Sequence, residues 1–159
     1  MKKIFFTTLS VFFYFIGFSQ LTYVDLIYVQ KSDLETSDTY LSGKNFQYFE
    51  TIDNRLTWTQ NRDVITNLSS RFISKFCPEK KCVEFLMYVI SDPKEYNSLK
   101  SEFKKYGYKL IDNPKDKEYM EKNGGLSSTY SNGTKRVNFQ SFLSDNNSNS
   151  YLITLFPKL

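Results

Sequence analysis

The most specific chemical feature of the sequence is the pair Cys77 and Cys82, separated by Pro-Glu-Lys-Lys. A zinc site needs four ligands, and the chain has no further cysteine and no histidine. A redox motif usually has two residues between its cysteines at the start of a helix, whereas this pair has four and lies between predicted strands. We therefore predict a structural disulfide, with a redox pair and a metal site as the alternatives.

The remaining reactive side chains do not form a known catalytic pattern. The absence of histidine removes the usual general base at neutral pH and any Ser-His or Cys-His pair. No serine lies in a Gly-x-Ser-x-Gly motif, and Gly124-Gly125 precedes a predicted strand rather than the helix of a phosphate loop. Asp33, Glu35 and Asp38 lack the spacing of a calcium loop and are interpreted as solvated charges. We assign no catalytic, cofactor-binding or metal-ligating residue.

Aromatic residues on three predicted strands are the candidates for a binding surface. Tyr48, Trp58 and Tyr88 can share one face of a sheet, and the charged residues to watch beside them are Arg55 and Arg71. Packing in the core is the default interpretation of these rings. The alternative is a contact surface, because tyrosine, tryptophan and arginine are common anchors of protein interfaces.

Alternating apolar residues predict eight strands around these positions. Two-residue hairpin turns are predicted at Asp53-Asn54 and at Asn132-Gly133. Because the fourth strand carries apolar residues on both faces, we expect it to lie in the middle of the sheet. The predicted strands are Phe46–Ile52, Arg55–Thr59, Leu68–Cys77, Cys82–Ile90, Tyr108–Asp112, Leu126–Ser131, Thr134–Leu143 and Tyr151–Phe156.

Helical spacing appears before each group of four strands. Residues 21–43 predict one or two short helices, with Ser32 and Ser37 as N-caps. The clearest helix is Pro93–Tyr106, which has apolar residues at helical spacing and ends before a glycine. Its Glu95 is expected to turn back to the N-cap in a variant of the capping box.

The order of elements predicts one α+β domain over residues 20–159. It has an antiparallel sheet, or sheets, of about eight strands, with two or three helices packed on one face. Residues 20–91 and 92–159 both run from helix into four strands, so they are possible pseudo-repeated halves. In this element order they resemble the tandem helix-plus-four-strand architecture of beta-lactamase inhibitory protein. That family is secreted and binds another protein through its concave sheet, so the resemblance implies the same mode of action.

Residues 1–19 have the three regions of a cleaved secretory signal peptide. Lys2 and Lys3 form a basic head, an apolar run follows, and Gly-Phe-Ser supplies a small-x-small cleavage pattern. The apolar run is shorter than the roughly 20 residues of a spanning helix, so we expect no stable membrane anchor after cleavage. The segment resembles those of exported Gram-negative bacterial proteins, which predicts a periplasmic or secreted protein in an oxidising compartment.

Charge and composition restrict the partners. The chain has 21 Lys and Arg against 17 Asp and Glu, and the surplus falls to about two when Lys2 and Lys3 leave with the signal peptide. Nucleic-acid binding requires a stripe of one sign, whereas basic residues are scattered here among acidic neighbours, so we expect no nucleic-acid partner. Because no cofactor motif is present, we also expect no cofactor.

The leading expectation for function is an exported, non-enzymatic module that binds another protein through its sheet face. Inhibitors, immunity factors and envelope accessory proteins are of this type. The first alternative is a periplasmic carrier of a small apolar or carbohydrate ligand, and the second is a carboxylate-dependent hydrolase.

Overall fold

The computed structural model describes residues 20–62, 69–78, 81–143 and 149–158. The predicted signal peptide, most of the predicted loop 145–149 and the centre of the cysteine loop lie outside these ranges. The elements are α1 (Tyr23–Lys31), α2 (Leu34–Gly43), β1 (Gln47–Ile52), β2 (Arg55–Arg62), β3 (Ser69–Phe76), β4 (Leu86–Ile90), α3 (Pro93–Lys105), β5 (Lys109–Ile111), α4 (Pro114–Asn123), β6 (Leu126–Ser131), β7 (Arg136–Leu143) and β8 (Asn149–Leu155).

The eight strands form a single antiparallel sheet in the order β1-β2-β3-β4-β8-β7-β6-β5, which confirms the predicted α+β class. Strands β1 to β4 make one meander and β5 to β8 make another. The two meanders join where their last strands, β4 and β8, pair in the middle of the sheet. As predicted, β4 is therefore central, while β1 and β5 are the edge strands.

The core lies between one face of the sheet and helices α1, α2 and α3. Strand register places five residues side by side across β2, β3, β4, β8 and β7, and alternation along each strand points them to the same face. All five are 0% exposed, and they are Trp58, Ile73, Tyr88, Ile153 and Phe139. Helix α3 packs Tyr96 and Phe103 edge-on against the last of these rings.

Helix α4 lies on the opposite face of the sheet, near β6 and β7. Its Asp116 carboxylate accepts hydrogen bonds from the Thr129 backbone N–H at 2.8 Å and from the Asn138 side chain at 2.9 Å. Thr129 pairs with Asn138 across the ladder, and both alternate with the core-facing Tyr130 and Phe139. One end of the second face is therefore covered, by a helix inserted between β5 and β6.

The two predicted hairpin turns have different outcomes. Asp53 and Asn54 adopt left-handed conformations, with φ of 50° and 62°, as a two-residue hairpin turn requires. The hairpin predicted at Asn132-Gly133 forms, but its two-residue loop is wrong, because four residues separate the end of β6 from the start of β7. The Asn132 side-chain oxygen accepts hydrogen bonds from the backbone N–H groups of Thr134 and Lys135, which holds the chain in a wider loop.

The helix starts also differ from part of the prediction. Helix α1 begins at Thr22, whose hydroxyl accepts from the Asp25 N–H in a capping box. Helix α2 begins at Asp33, whose carboxylate accepts from the Thr36 N–H at 2.8 Å. The predicted N-caps Ser32 and Ser37 are therefore wrong, since a better placed side-chain oxygen caps each helix.

Candidate functional site

The structure separates the five residues predicted to form a binding surface. Tyr48, Trp58 and Tyr88 do share one face, as register shows, but this face is the one covered by helices. Trp58 and Tyr88 are fully buried, and Arg71 is only 9% exposed. Trp58, Tyr88 and Arg71 are therefore core residues. Core packing, the default interpretation, holds for these two rings, and the prediction of a binding surface is wrong for all three residues. Tyr48, which is 52% exposed, and Arg55 remain at the surface.

Arg71 and Tyr88 instead bind Glu95 of α3 in a buried network. The Arg71 Nε donates to Glu95 Oε2 at 2.7 Å, and the Tyr88 hydroxyl donates to Glu95 Oε1 at 2.6 Å. A second Arg71 nitrogen donates to Gln60 Oε1 at 2.9 Å. Burial, followed by the nearby Glu95 charge, raises the pKa of Tyr88 above its ordinary value. This network fastens α3 to β3 and β4, and it is a structural feature of the core.

A groove of about 740 Å³ opens between α2 and strands β1 and β2. Leu56 and Trp58 form its floor, and Tyr48 and Thr51 of β1 form one wall. The Tyr48 hydroxyl lies 2.7 Å from the Thr51 Oγ1, which fixes the ring at the mouth. The remaining lining residues belong to the start of α2, and they are Asp33, Leu34, Glu35 and Asp38.

Two of these three carboxylates have structural contacts as well. Asp33 caps α2, and the hydrogen bonds from Thr36 lower its pKa. Asp38 Oδ1 accepts from the indole Nε1 of Trp58 at 2.7 Å, so the groove floor and the helix are directly linked. Glu35 is exposed in the first turn of α2. The sequence showed these acids only as solvated charges, because nothing in their spacing reveals that β1 and β2 face them.

A buried amine supports the helices behind the groove. The Lys75 Nζ donates to the carbonyl of Val29 at 2.6 Å, to the Ser37 hydroxyl at 3.1 Å, and to the carbonyl of Ser32. These acceptors lie at the junction of α1 and α2, so one side chain of β3 anchors both helices. Burial lowers the pKa of Lys75 to about 8, against the opposing charges of Asp33 and Glu84.

The second face of the sheet carries two rows of side chains without charge. Register defines this open face across β2, β3, β4, β8 and β7. One row is Thr59, Phe72, Val89, Leu152 and Gln140, and the other is Thr57, Ser74, Met87, Thr154 and Asn138. Phe72, Met87, Val89 and Leu152 are partly exposed. The smaller side chains of Thr59, Ser74, Thr154 and Asn138 are buried, the last of them beneath α4.

Arg55 lies at the border of this open face. It pairs with Ile52 on one side and with Phe76 on the other, and both neighbours are exposed apolar side chains. Among the three paired residues Ile52, Arg55 and Phe76, only Arg55 is charged. An arginine between exposed apolar groups is a frequent arrangement at protein interfaces.

The structure joins Cys77 and Cys82 in a disulfide. The Cys77 N–H donates to the carbonyl of Asn54 at 2.8 Å, and the Val83 N–H donates to the carbonyl of Phe76 at 3.0 Å. The crosslinked loop is therefore held beside the β1–β2 turn. Across the described ranges, no helix is long and apolar enough to cross a membrane, and no group of three or more potential ligands has the arrangement of a metal site.

Comparisons with protein-family models, curated proteins and solved structures found no match to this chain.

Proposed function

We propose that the chain is an exported, non-enzymatic module that binds another protein through the open face of its sheet. The observation that supports it is the absence of charge from the two central rows of that face. The centres of protein interfaces are depleted in charged residues and enriched in aromatic residues and methionine.

The position of the open face supports the same proposal. Helices α1, α2 and α3 contact the sheet through Lys75, Trp58 and Tyr88. These side chains point to the core face, on the side of the sheet opposite the open face. Helix α4 reaches the second face at β6 and β7. The face of β2, β3 and β4 therefore presents Phe72, Met87 and Val89 beside the exposed border at Arg55. We infer a periplasmic or secreted location from the predicted signal peptide, and the disulfide suits it.

A substitution in the middle of the open face tests the proposal. The mature protein, a Met87→Glu variant and a Ser101→Glu control are used as bait in the envelope fraction and medium of the native cells. The control adds the same charge at an exposed site on α3, away from the open face. Thermal melting of the wild type and both variants checks that all three proteins are folded.

We expect the wild type and the Ser101→Glu control to capture the same partner and the Met87→Glu variant to lose it. One buried, unpaired charge at an interface centre costs about 2–5 kcal/mol of binding, which is enough to abolish capture. Recovery of the bait alone at native abundance would contradict the proposal, and so would equal capture by folded Met87→Glu protein.

A further inference from the structure

We propose that the groove between α2 and β1–β2 binds a lysine or arginine side chain of a polypeptide partner. The groove opens beside the helix-covered face of the sheet, whereas the open face lies on the other side. This binding site is therefore separate from the surface of the proposed function, and either can fail without the other.

The shape and lining of the groove fit a long basic side chain. Leu34 and Leu56, with the exposed Tyr48 ring, line the groove above the buried Trp58. They offer apolar surface for a methylene stem, which lysine and arginine readily bury while the charged head stays near water. A volume of about 740 Å³ is within the range of ligand sites in proteins, roughly 300–1,000 Å³.

The charges around the groove select a cation. Asp33, Glu35 and Asp38 are on its rim, and neither α2 nor the described lining contains a basic residue. The buried ammonium of Lys75 acts on the Asp33 charge from behind the groove, but its hydrogen bonds go to Val29, Ser32 and Ser37. The rim therefore carries three carboxylates and no basic residue in a chain that is basic overall, and this contrast favours a positively charged ligand.

The aromatic wall favours the same ligand. The Tyr48 ring is 52% exposed and is held by its contacts with Thr51 and Trp58. A cation over an exposed tyrosine ring gains free energy from the negative face of the ring. A basic side chain can therefore contact the Tyr48 ring and the Glu35 carboxylate together, in the manner of an interface anchor.

The edge of the sheet indicates that the ligand belongs to a polypeptide. Strand β1, which supplies Tyr48 and Thr51, is the first strand in the sheet order, so its outer edge has no neighbour among the described strands. An extended peptide can pair with such an edge and place alternate side chains on one face. A residue paired with Tyr48 would point toward the groove, because paired residues share a face.

The only tryptophan of the chain reports directly on this groove. Trp58 lies in the floor, contacts the Tyr48 ring and donates to Asp38, so its fluorescence should change when a cation binds over Tyr48. The probe is a blocked pentapeptide of threonine and valine around a central lysine. Its matched counterpart carries Nε-acetyl-lysine, which has the same stem without the charge. Both are titrated into the wild type and into Glu35→Gln, Tyr48→Leu and Glu121→Gln variants.

We expect saturable binding of the lysine peptide and at least about tenfold weaker binding of the acetylated peptide. Glu35→Gln and Tyr48→Leu should each weaken binding about two- to fivefold, with melting temperatures near that of the wild type. Glu121→Gln removes an exposed charge on α4 and should leave binding unchanged.

Three results would overturn the inference. Equal binding of the charged and acetylated peptides would show a groove for neutral ligands, as the carrier hypothesis expects. Equal weakening by Glu121→Gln would show general electrostatic attraction rather than a site. The absence of any saturable change with the lysine peptide would show that the groove does not take a basic side chain.

Discussion

Removing the Glu95 charge should destabilise the fold more than any exposed substitution. In a Glu95→Gln variant the guanidinium of Arg71 loses its counter-charge while it stays 9% exposed. The Tyr88 hydroxyl also loses a charged acceptor at 2.6 Å. Removal of one partner from a buried ion pair typically costs about 3–5 kcal/mol, because the other charge stays buried without compensation.

This loss is measurable by urea unfolding of the mature protein, followed by the fluorescence of Trp58 and by circular dichroism. For a domain of this size, about 3–5 kcal/mol corresponds to a melting temperature lower by roughly 10–20 °C. The matched control is Asp112→Asn, which removes the ion pair with Lys117. That pair has an N–O distance of 3.5 Å and side chains 72% and 81% exposed, so its loss should change stability by less than about 1 kcal/mol.

A double variant separates the effect of an unpaired charge from that of the lost contact. Glu95→Leu with Arg71→Met replaces the pair by apolar groups, and such replacements are often neutral or stabilising. Both this variant and its Glu95→Gln comparator carry Tyr88→Phe and Gln60→Leu, so that no buried hydroxyl or amide oxygen loses its partner. We expect the double variant to be more stable than this comparator. A Glu95→Gln protein that loses less than about 1 kcal/mol, or a double variant as unstable as the single one, would refute this account of the network.

Three further predictions follow from the disulfide and from buried ionisable groups. Reduction of Cys77–Cys82 should lower the melting temperature by several degrees, because the loop contributes about 2 kcal/mol on the chain-entropy model; an unchanged melting curve would contradict this. Burial raises the pKa of Tyr88 and Tyr96. Above about pH 10 the unfolded chain therefore releases protons that the folded chain keeps, and these two groups make stability fall as pH rises. Tyrosinate absorbance of the folded protein at that pH should show both rings still protonated. Lys75 has a pKa of about 8 in the folded protein, against its ordinary pKa of 10.5. Between these two pH values it binds fewer protons in the folded state than in the unfolded state, so this group alone makes stability rise with pH in that window. An NMR titration of its ammonium that gave the ordinary pKa would exclude the burial effect.

Local patterns in the sequence predicted most of the elements because the causes are local. The turn Asp53-Asn54 and the helix start at Asp92-Pro93 depend on residues within a few positions of one another. The loop at Asn132 departs from prediction because its side chain bonds two backbone N–H groups further along. Such competition between a side chain and the ladder is decided by geometry that dipeptide preferences do not contain.

Long-range pairing explains what the sequence did not show at the candidate sites. Glu95 has the position of a capping-box residue, but a buried arginine on β3 gives its carboxylate a stronger partner than the N-cap backbone. The sequence allowed Tyr48, Trp58 and Tyr88 to share a face, and strand register confirms it, but nothing in the sequence indicated that helices cover that face. The groove joins acids of α2 to an aromatic wall of β1, and only their contact in the fold makes them one site.

The central place of β8 has a consequence for how the chain acquires its structure. Among the eight strands β8 is the last in sequence, yet it lies between β4 and β7 and supplies Ile153 to the core row. The first meander cannot complete the sheet while the ribosome is still making the second. Its β4 edge, with Tyr88 and Val89, stays open until synthesis reaches Asn149–Leu155. Pairing so distant in sequence slows folding, so we expect the first meander to keep an unpaired central edge until β8 has been made.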